Sequence, residues 1–412
     1  MEYGIIGNKL TQSFSPKIHN MLGNNDYTKC VLKENELEAF LNERNFKGLN
    51  VTIPYKIEAM KYLDIISEEA KSIGAINTIV NKNGALHGFN TDAFGVEYAL
   101  NKYNIDLNGK KILILGSGGS SRTVSYVCKK KKAAEVCIAS RTGLLNYENL
   151  YDREWDFIFN TTPVGMYPNN NHFPIELKRI KGVFGVFDLV YNPLKTRFIL
   201  EAESLGLIAI SGIDMLIAQA KKSDDLFFGK NNTDDIIEDI VKKIYHSLKN
   251  IVLIGMPGCG KTTAGKILAQ KTKRKWLDSD VLIALHMEKS IADIFKQYGE
   301  NKFREIESNV IADISKNQST LISLGGGAVL DKENMTAIKQ NGIIIYIKRD
   351  IEKLTALDRP LIKNNPENLK LLYEARKPLY EKYADFTIDG NGTSENTANL
   401  ILEVIDNEDF SN

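Results

Sequence analysis

NIVLIGMPGCGKTT at residues 250–263 and KKILILGSGGSSR at residues 110–122 follow one pattern. Each opens with a short apolar run typical of a buried strand, turns through closely spaced glycines and continues into the start of a helix. Such a turn directs backbone N–H groups at an anion, and the dipole of the helix adds partial positive charge. Both stretches therefore predict phosphate-binding turns. Because one turn is GxGGxxR and the other GxxxxGK[ST], we place them in separate domains.

The rest of the chain alternates short apolar runs with amphipathic segments, which predicts an α/β fold with largely parallel sheets. The runs predicted as strands are residues 3–6, 48–53, 111–115, 135–139, 155–160, 184–189, 250–254, 319–324 and 342–347. Segment 234–248 has apolar residues on one face, an acidic start and a basic end, which predicts a helix. We place the domain boundary at its end, which gives domains 1–248 and 249–412.

Composition argues against several classes of protein. At 412 residues the chain is long enough for two or three domains, and its 43% hydrophobic and 25% charged residues are typical of globular proteins. Lys plus Arg number 53 against 52 for Asp plus Glu, so the basic excess of nucleic-acid and membrane-surface binders is missing. We therefore expect no nucleic-acid partner and no membrane partner.

The sequence also bears on cellular location. The N-terminus, MEYGIIGNKL, has neither the basic start nor the long apolar run of a signal peptide. The four cysteines, at positions 30, 128, 137 and 259, form no CxxC pair, which favours reduced thiols. We expect a cytoplasmic protein. The sequence leaves the oligomeric state open, with a homo-oligomer among the choices.

The glycine turn at Gly116 is followed by a second predicted strand that ends at Ser140-Arg141-Thr142. Dinucleotide-binding folds that use NAD place an acidic residue here to bind the ribose 2′-hydroxyl, whereas an arginine suits a 2′-phosphate. The alternatives are an ordinary tight turn and a solvated surface arginine. The two features together predict a Rossmann domain that binds NADP(H).

Polar fragments in the first half occur at predicted strand ends and loops, where each alone can be turn chemistry. They are Ser13-Phe-Ser-Pro16, Asn50-Val-Thr-Ile-Pro-Tyr-Lys56, Gly74-Ala-Ile-Asn77, Gly88-Phe-Asn90-Thr-Asp92, Asn160-Thr-Thr-Pro-Val-Gly-Met166, Tyr191-Asn-Pro193 and Gln219. In this order they resemble the shikimate dehydrogenase family over residues 1–229. The resemblance implies an α/β substrate domain, about 1–93 plus helices in 211–248, and a Rossmann domain of about 94–210.

The same resemblance implies roles for individual residues. Lys56 and Asp92 match the catalytic pair: a lysine ammonium can protonate the alkoxide left by hydride addition, and a nearby carboxylate can orient it. Asp92 can instead cap the helix that follows it. The residues implied in substrate binding are Ser13, Ser15, Asn50, Thr52, Asn77, Tyr191 and Gln219, and those in cofactor binding are Gly116, Gly118, Gly119, Ser140, Arg141 and Thr142.

In the second half, GxxxxGK[ST] after a strand is the phosphate loop of nucleotide-binding enzymes. Lys261 is expected to reach the outer phosphates of ATP and Thr262 to ligate Mg²⁺. The loop residues expected to contact nucleotide are Gly255, Gly258, Gly260, Lys261, Thr262 and Thr263. The pattern indicates a nucleoside triphosphate but does not identify the acceptor.

Further fragments indicate the acceptor. They are Asp278-Ser-Asp280, Gly299-Glu-Asn-Lys-Phe-Arg304-Glu-Ile-Glu307, Gly325-Gly-Gly327, Arg359-Pro-Leu361 and Arg376-Lys-Pro-Leu-Tyr380. This set resembles the shikimate kinase family, a P-loop kinase with an α/β fold, over residues 250–390. The resemblance implies that Asp280 orients the accepting hydroxyl, and that Arg304 and Arg376 bind the substrate carboxylate. It also implies that Gly325, Gly326 and Gly327 let the backbone approach the ring and that Arg359 belongs to a mobile catalytic lid. By the same resemblance, Asp278 holds Mg²⁺ through water.

Both halves imply the same small hydroxylated acid, which predicts a bifunctional enzyme of aromatic amino acid biosynthesis. Its substrates would be 3-dehydroshikimate and shikimate, with NADP(H), ATP and Mg²⁺ as cofactors. One alternative is an NAD-dependent quinate/shikimate dehydrogenase fused to a kinase for another metabolite. A second is a metabolite-sensing regulator, which the presence of Lys56, Asp92, Lys261 and Asp280 disfavours. The segment before Arg359 is short and poor in arginine, which leaves the adenine contact undetermined.

Overall fold

Three β-sheets organise the chain in the computed structural model, which describes residues 1–11, 13–230, 233–354 and 366–407. The chain divides into two compact units, residues 1–243 and 244–412. The division falls inside the helix predicted at 234–248, whereas the sequence places the boundary after residue 248. Within the described ranges, no helix combines the length and the apolar character needed to cross a bilayer.

The first sheet is built from β1 (Tyr3–Gly7), β2 (Tyr27–Val31), β3 (Gly48–Val51), β4 (Ile65–Ile66), β5 (Thr78–Lys82) and β6 (Ala85–Phe89), in the order β2-β1-β3-β5-β6-β4. β5 runs antiparallel to both β3 and β6, a departure from the parallel pairing that the sequence predicts. The antiparallel pairing of β5 with β6 has a local cause in the turn that joins them. There Asn83 and Gly84 both have positive φ, 53° and 91°, which suits a tight two-residue hairpin.

The second sheet is parallel throughout, as predicted. Its strands are β7 (Lys111–Leu115), β8 (Glu135–Ala139), β9 (Phe157–Asn160), β10 (Gly185–Asp188) and β11 (Ile208–Ile210), in the order β11-β10-β9-β7-β8. The helices of this part of the chain are α1 (Ser15–Met21), α2 (Leu37–Glu43), α3 (Glu68–Ile73), α4 (Asp92–Lys102), α5 (Gly119–Lys130), α6 (Arg197–Ser204), α7 (Ile213–Phe228) and α8 (Asp235–Leu248). The order of the strands makes this a doubly wound sheet of the Rossmann kind.

The third sheet is also parallel. Its strands are β12 (Asn250–Ile254), β13 (Lys275–Asp278), β14 (Thr320–Ser323), β15 (Gly342–Lys348) and β16 (Phe386–Asp389), in the order β13-β14-β12-β15-β16. The helices that accompany it are α9 (Lys261–Thr272), α10 (Ser279–Met287), α11 (Ile291–Ile314), α12 (Lys332–Lys339), α13 (Pro366–Tyr383) and α14 (Ser394–Asn407). β12 lies at the centre, so the loop that leaves it has strands on both sides.

Buried apolar side chains explain why the predicted strands form. β7, β12 and β15 are fully or almost fully buried, as parallel strands covered on both faces must be. The predicted ranges 111–115, 135–139 and 250–254 match the observed strands residue for residue, and the other predicted strands differ by one or two residues at an end. The α/β prediction with two phosphate turns in separate sheets is confirmed.

The helix predicted at 234–248 is confirmed as α8. Ile237, Val241, Ile244 and Leu248, which share one face of the helix, are all buried, as the helical spacing predicts. β12 begins two residues after α8 ends. The chain therefore passes from one unit into the other through a helix and not through an extended linker.

Candidate active sites

Lys56 and Asp92 form a close ion pair in the first unit. Lys56 lies on the loop after β3, and Asp92 is the first residue of α4 after β6, so the antiparallel hairpin of the first sheet brings them together. Nζ of Lys56 lies 2.5 Å from Oδ2 of Asp92, with the two side chains only 14% and 7% exposed. The N-cap of α4 is Thr91. The carboxylate of Asp92 therefore holds the ammonium of Lys56 and does not serve as the N-cap.

Asn77 joins this pair to Gln219. Its Nδ2 lies 2.9 Å from Oδ1 of Asp92 and 3.2 Å from Oε1 of Gln219, which comes from α7. The backbone N–H of Thr91 donates to Oδ1 of Asn77 at 2.7 Å, which fixes the orientation of the amide because a backbone N–H can only donate. Four residues with predicted substrate or catalytic roles, Lys56, Asp92, Asn77 and Gln219, thus form one hydrogen-bonded group.

Asn50 is buried behind this group. The hydroxyl of Tyr27 donates to its Oδ1 at 2.7 Å, and its Nδ2 donates to the hydroxyls of Ser223 at 2.8 Å and Thr78 at 3.1 Å. These partners occupy both ends of the amide. The structure therefore places this predicted substrate residue in a network that supports the neighbouring strands.

Ser13, Ser15 and Tyr191 lie together at another edge of the site. Oγ of Ser13 is 3.2 Å from Oγ of Ser15, and the ring of Phe14 between them contacts the ring of Tyr191 with centroids 5.4 Å apart. Burial raises the pKa of Tyr191 to about 12, so its hydroxyl stays protonated and can donate a hydrogen bond. Thr52, which precedes Lys56 on the same loop, is half-buried.

The glycine turn after β7 reaches the ion pair. A Cβ added to Gly119 would lie 3.3 Å from Cβ of Lys56, so the start of α5 packs directly against the lysine. Gly116 has φ of 103°, a conformation that suits glycine and opens the turn. Gly118 is the N-cap of α5, where the helix dipole favours an anion. The turn that can accept a dinucleotide phosphate therefore lies against the lysine of the ion pair.

Ser140, Arg141 and Thr142 follow β8 beside this turn. β8 pairs with β7 in parallel register, and the N–H of Gly116 donates to the carbonyl of Ala139 at 2.8 Å. Arg141 is exposed at the same sheet edge as the phosphate turn. The residues present therefore fit a dinucleotide with a phosphate on its ribose, and they include no carboxylate at positions 140–142.

Asp188 at the end of β10 was not singled out from the sequence. It is completely buried and accepts hydrogen bonds from the hydroxyl of Thr196 at 2.6 Å, the amide of Asn160 at 2.9 Å and the N–H of Val190 at 3.0 Å. Burial raises the pKa of its carboxyl to about 7, against the lowering effect of these donors. The side chain ties together two loops at the carboxyl edge of the second sheet.

In the second unit the phosphate loop runs from β12 into α9. Nζ of Lys261 donates to the carbonyls of Gly255 at 2.8 Å and Met256 at 3.0 Å, so the ammonium lies within the loop. The hydroxyl of Thr262 donates to Oδ2 of Asp278 at 2.9 Å. Among the described residues no cluster of three or more His, Cys, Asp or Glu could hold a metal. Mg²⁺ needs only one or two protein oxygens beside nucleotide phosphates, and Thr262 with Asp278 fits that requirement.

The phosphate loop opens into a cavity of about 390 Å³. The predicted residues that line it are Gly258, Gly260, Lys261, Thr262, Thr263, Asp278, Asp280, Arg304, Gly325, Gly326, Gly327 and Arg376. Gly255 lies at the start of the loop, where its carbonyl accepts from Lys261. Arg359 lies outside the described residues. The structure thus brings the nucleotide residues and most of the predicted acceptor residues into one space.

The glycine run after β14 is shaped by its charged neighbours. A Cβ added to Gly325 would lie 2.5 Å from Oδ1 of Asp280, and one added to Gly327 would collide with the guanidinium of Arg304. Any larger residue would displace these two side chains. Gly325 and Gly327 therefore let the backbone pass close to the predicted acceptor groups, whereas a Cβ on Gly326 would meet Pro257 of the phosphate loop.

Glu307 belongs to this site although the sequence analysis gave it no role. Its side chain is 1% exposed, and Nη1 of Arg304 donates to its Oε2 at 2.6 Å. Nη2 of Arg304 donates to Glu300 at 3.0 Å, so two carboxylates hold one guanidinium. Burial raises the pKa of Glu307, and the charge of Arg304 opposes that effect. The signal was available in the sequence, since residues three apart on a helix are neighbours.

Two family models match the chain. "Shikimate dehydrogenase substrate binding domain" matches residues 5–79. "Shikimate kinase" matches residues 257–406. The two matches fall in different units, each with one of the sites described above.

Curated relatives and solved structures resemble the first part of the chain. "Shikimate dehydrogenase (NADP(+))" of Clostridium perfringens is 36% identical over 264 residues, 58% of this chain and 97% of the relative. The protein of the same name from Methanococcus maripaludis is 40% identical over 254 residues, 55% of this chain and 91% of the relative.

Among solved structures, shikimate dehydrogenase 1 of Peptoclostridium difficile has a TM-score of 0.56 and 35% identity, and the match covers 59% of this chain and 98% of that one. A Thermus thermophilus shikimate 5-dehydrogenase, solved in complex with NADP(H) and shikimate, has a TM-score of 0.53 and 30% identity, with 59% and 99% covered.

Proposed function

The chain belongs to the shikimate dehydrogenase family and carries a shikimate kinase domain after it, and we propose that it performs both reactions on one small acid. The first reaction reduces the ketone of 3-dehydroshikimate to the alcohol of shikimate with NADPH. The second phosphorylates a hydroxyl of shikimate with ATP and yields shikimate 3-phosphate. The two products are consecutive intermediates of aromatic amino acid biosynthesis.

In the reduction, Lys56 supplies the proton and Asp92 positions Lys56. NADPH, when bound on the Gly116–Gly119 turn, supplies the hydride that adds to the carbonyl carbon. The carbonyl oxygen then gains negative charge, and the ammonium of Lys56 stabilises that charge and donates a proton to it. Because Oδ2 of Asp92 lies 2.5 Å from Nζ of Lys56, the carboxylate holds the ammonium in place.

Substrate binding in the first site draws on neutral groups. The hydroxyls of Ser13 and Ser15 lie 3.2 Å apart and can donate together to a carboxylate. Asn77 and Gln219 present amides beside the catalytic pair, where ring hydroxyls need both donors and acceptors. Tyr191 closes the site next to Phe14. These roles rest on the geometry together with the resemblance to the family.

In the phosphorylation, Asp280 orients the accepting hydroxyl and takes its proton. Arg304 is held by Glu307, and Arg376 is 3% exposed on the cavity wall, so both can bind the substrate carboxylate without further ordering. Lys261 lies in the loop that would cradle the outer phosphates. Thr262 and Asp278 would hold Mg²⁺, which neutralises phosphate charge when bound. We propose that Arg359, outside the described residues, adds a further cation.

One observation carries the proposal. A single chain contains a buried lysine–aspartate pair against a dinucleotide turn and also a phosphate loop whose cavity holds an aspartate with two arginines. The first arrangement serves the reduction of a ketone, and the second serves phosphoryl transfer to a hydroxyl of an anionic acceptor. The NAD-dependent alternative with a different kinase is not favoured, because the named relatives are NADP(+) enzymes and Arg141, Arg304 and Arg376 are all present.

Product analysis tests the proposal directly. The purified protein is incubated with 3-dehydroshikimate, NADPH, ATP and Mg²⁺, and the products are identified by mass. We expect shikimate 3-phosphate in the complete mixture, shikimate alone when ATP is omitted, and no product when NADPH is omitted. Formation of shikimate without its phosphate in the complete mixture would remove the kinase half of the proposal.

We further propose that the enzyme works in the cytoplasm, where its small-molecule substrates and both nucleotides are available. Each described site is built from residues of one chain. The proposal is therefore compatible with a homo-oligomer and does not require one. Size-exclusion chromatography with light scattering measures the oligomeric state.

A further inference from the structure

Arg349 is a cation of the kinase cavity to which no motif gave a role. It follows β15 directly, and its side chain lines the same cavity as Lys261, Asp280 and Arg304. Its Nε is buried, and among the described residues this atom has no hydrogen-bond partner. The side chain is half-buried overall. A guanidinium is thus partly removed from water beside the phosphate loop, and within the described part of the chain no carboxylate forms an ion pair with it.

Two other cations of the cavity have protein partners. Lys261 donates to two backbone carbonyls, and Arg304 forms ion pairs with Glu300 and Glu307, although its Nε, like that of Arg349, has no hydrogen-bond partner among the described residues. Removing a charge from water without a partner is costly, and such groups are paired or bind ligands. For Arg349 the described residues supply no ion pair of this kind. An anion that enters the cavity would supply the missing partner.

The position of Arg349 indicates which anion it would bind. β13 and β14, which lead into Asp280 and Gly325, lie on one side of β12, whereas β15 and β16 lie on the other side. Nη1 of Arg349 lies 3.6 Å from the place that a Cβ on Gly260 would take. The guanidinium therefore lies beside the phosphate loop, on the side away from the acceptor groups.

The loop after β16 completes this side of the cavity. The N–H of Asp350 donates to Oδ1 of Asn391 at 3.0 Å, which joins the loop after β15 to the loop after β16. Ser394, at the start of α14, also lines the cavity. A nucleotide whose terminal phosphate faces Asp280 must extend from the phosphate loop toward this side, so its inner phosphates would pass the guanidinium.

We propose that Arg349 binds the inner phosphates of the nucleotide where they leave the phosphate loop toward the nucleoside. The inference rests on the proposed kinase function and assigns to it a binding residue outside the recognised motifs. The planar fork of a guanidinium can donate to two phosphate oxygens at once, which an ammonium cannot do in the same geometry.

Calorimetric titration with MgADP tests this assignment in the full-length protein. Arg349→Ala is expected to raise the Kd of MgADP about tenfold or more, the loss of a charge-assisted hydrogen bond, and Arg349→Lys is expected to recover part of it. Lys348→Ala removes a neighbouring exposed cation that does not line the cavity and should leave the Kd unchanged. Titration with magnesium pyrophosphate should show the same loss as MgADP.

Kinetics separate a failure of this inference from a failure of the proposed function. In Arg349→Ala we expect a higher KM for ATP, an unchanged KM for shikimate and unchanged reduction of 3-dehydroshikimate. If the wild type binds MgADP and phosphorylates shikimate while Arg349→Ala binds MgADP equally well, the inference is wrong. A variant that loses affinity for MgADP but not for pyrophosphate would overturn the assignment to phosphates. A wild type that neither binds MgADP nor phosphorylates shikimate would overturn the proposed kinase function first.

Discussion

The dehydrogenase site and the kinase site arrange their charges in opposite ways. In the first, one cation and one anion are in direct contact, Lys56 with Asp92 at 2.5 Å, and their neighbours are neutral amides and hydroxyls. In the second, carboxylates and cations line a cavity of about 390 Å³. The difference follows the proposed chemistry, since ketone reduction needs one proton, whereas phosphoryl transfer must balance several negative charges.

The two sites also differ in how they would grip one carboxylate. The first offers the hydroxyls of Ser13 and Ser15, whereas the second offers the guanidinium groups of Arg304 and Arg376. Neutral donors suffice where the neighbouring ammonium already contributes positive charge. In the kinase cavity the substrate must approach a nucleotide that carries negative charge, so a second anion needs cations of its own. The ligand alone therefore does not dictate the residues that bind it.

Lys56→Ala should show the largest difference between the two sites, because it should affect the reduction and not the phosphorylation. Loss of the ammonium removes the proton donor and leaves Asp92 without its partner, so reduction of 3-dehydroshikimate should slow about 10²- to 10⁴-fold. Phosphorylation of shikimate by the same preparation should remain unchanged. The rates of NADPH oxidation and ADP formation measure the two activities. Loss of both from a still-folded protein would contradict the assignment of two separate sites.

Asp280→Asn is the matching change in the second site. It keeps the size of the side chain beside Gly325 but removes the proton acceptor. Phosphorylation should slow about 10²-fold or more, and reduction should continue at the wild-type rate. A comparison of kcat for both reactions in one preparation is the measurement. Wild-type phosphorylation in the variant would show that another group takes the proton.

Arg141→Ala tests whether this arginine is the reason for a preference for NADPH over NADH. The arginine lies exposed beside the phosphate turn, where it can pair with a 2′-phosphate. Its removal should reduce the preference for NADPH over NADH by about 1–3 kcal/mol. The ratio of kcat/KM for the two cofactors gives this value. A wild type that used NADPH and NADH equally well would refute the premise of the prediction.

Glu307→Gln should have a smaller effect, confined to the kinase. The amide keeps the volume of the side chain but loses the charge that fixes Arg304. We expect the KM for shikimate to rise about tenfold while MgADP binds as before, because Arg304 is oriented less well toward the carboxylate. Glu300→Gln is the matched control, since Glu300 contacts the same guanidinium from a more exposed position. Equal effects of the two changes would show that burial of Glu307 adds nothing.

The smallest expected effect concerns how the free energy of unfolding depends on pH. The carboxyl of Asp188 has a pKa of about 7 in the folded protein, above its unfolded value of about 4. The folded state therefore binds more protons between these values, so this group contributes stability at low pH that is lost as pH rises toward and through 7.

Asp188→Asn should remove that dependence. Between pH 5 and pH 8, the wild type should lose more unfolding free energy than the variant, by about 1 kcal/mol or more. Urea denaturation at several pH values, followed through a signal of the first unit, measures the difference. Parallel curves for the two proteins would show that Asp188 keeps an ordinary pKa.

The phosphate turns and the strands that carry them followed from the sequence because the signals are local. A run such as 250–254 is apolar at each position after Asn250, and glycines follow at fixed spacing, so neighbouring residues suffice to predict strand and turn. The hairpin at Asn83-Gly84 carries a comparable local signal, since an Asn-Gly pair between two strands is typical of a tight hairpin turn. Glu307 was likewise within reach, three residues after Arg304 on a helix.

The sequence by itself determined the fold class, the two phosphate turns and the residue types available for catalysis. Only the tertiary structure decided which of them meet. Gly119 packs on Lys56, and Asp280 lies against Gly325, through contacts between elements far apart in the chain. The sequence did not indicate a role for Arg349. Its proposed role depends on the strand order of the third sheet, in which β15 lies beside β12 on the side away from the acceptor residues Asp280 and Gly325. Periodicity and turn chemistry act between near neighbours, whereas the pairing of strands and the burial of charge are set by packing over the whole unit.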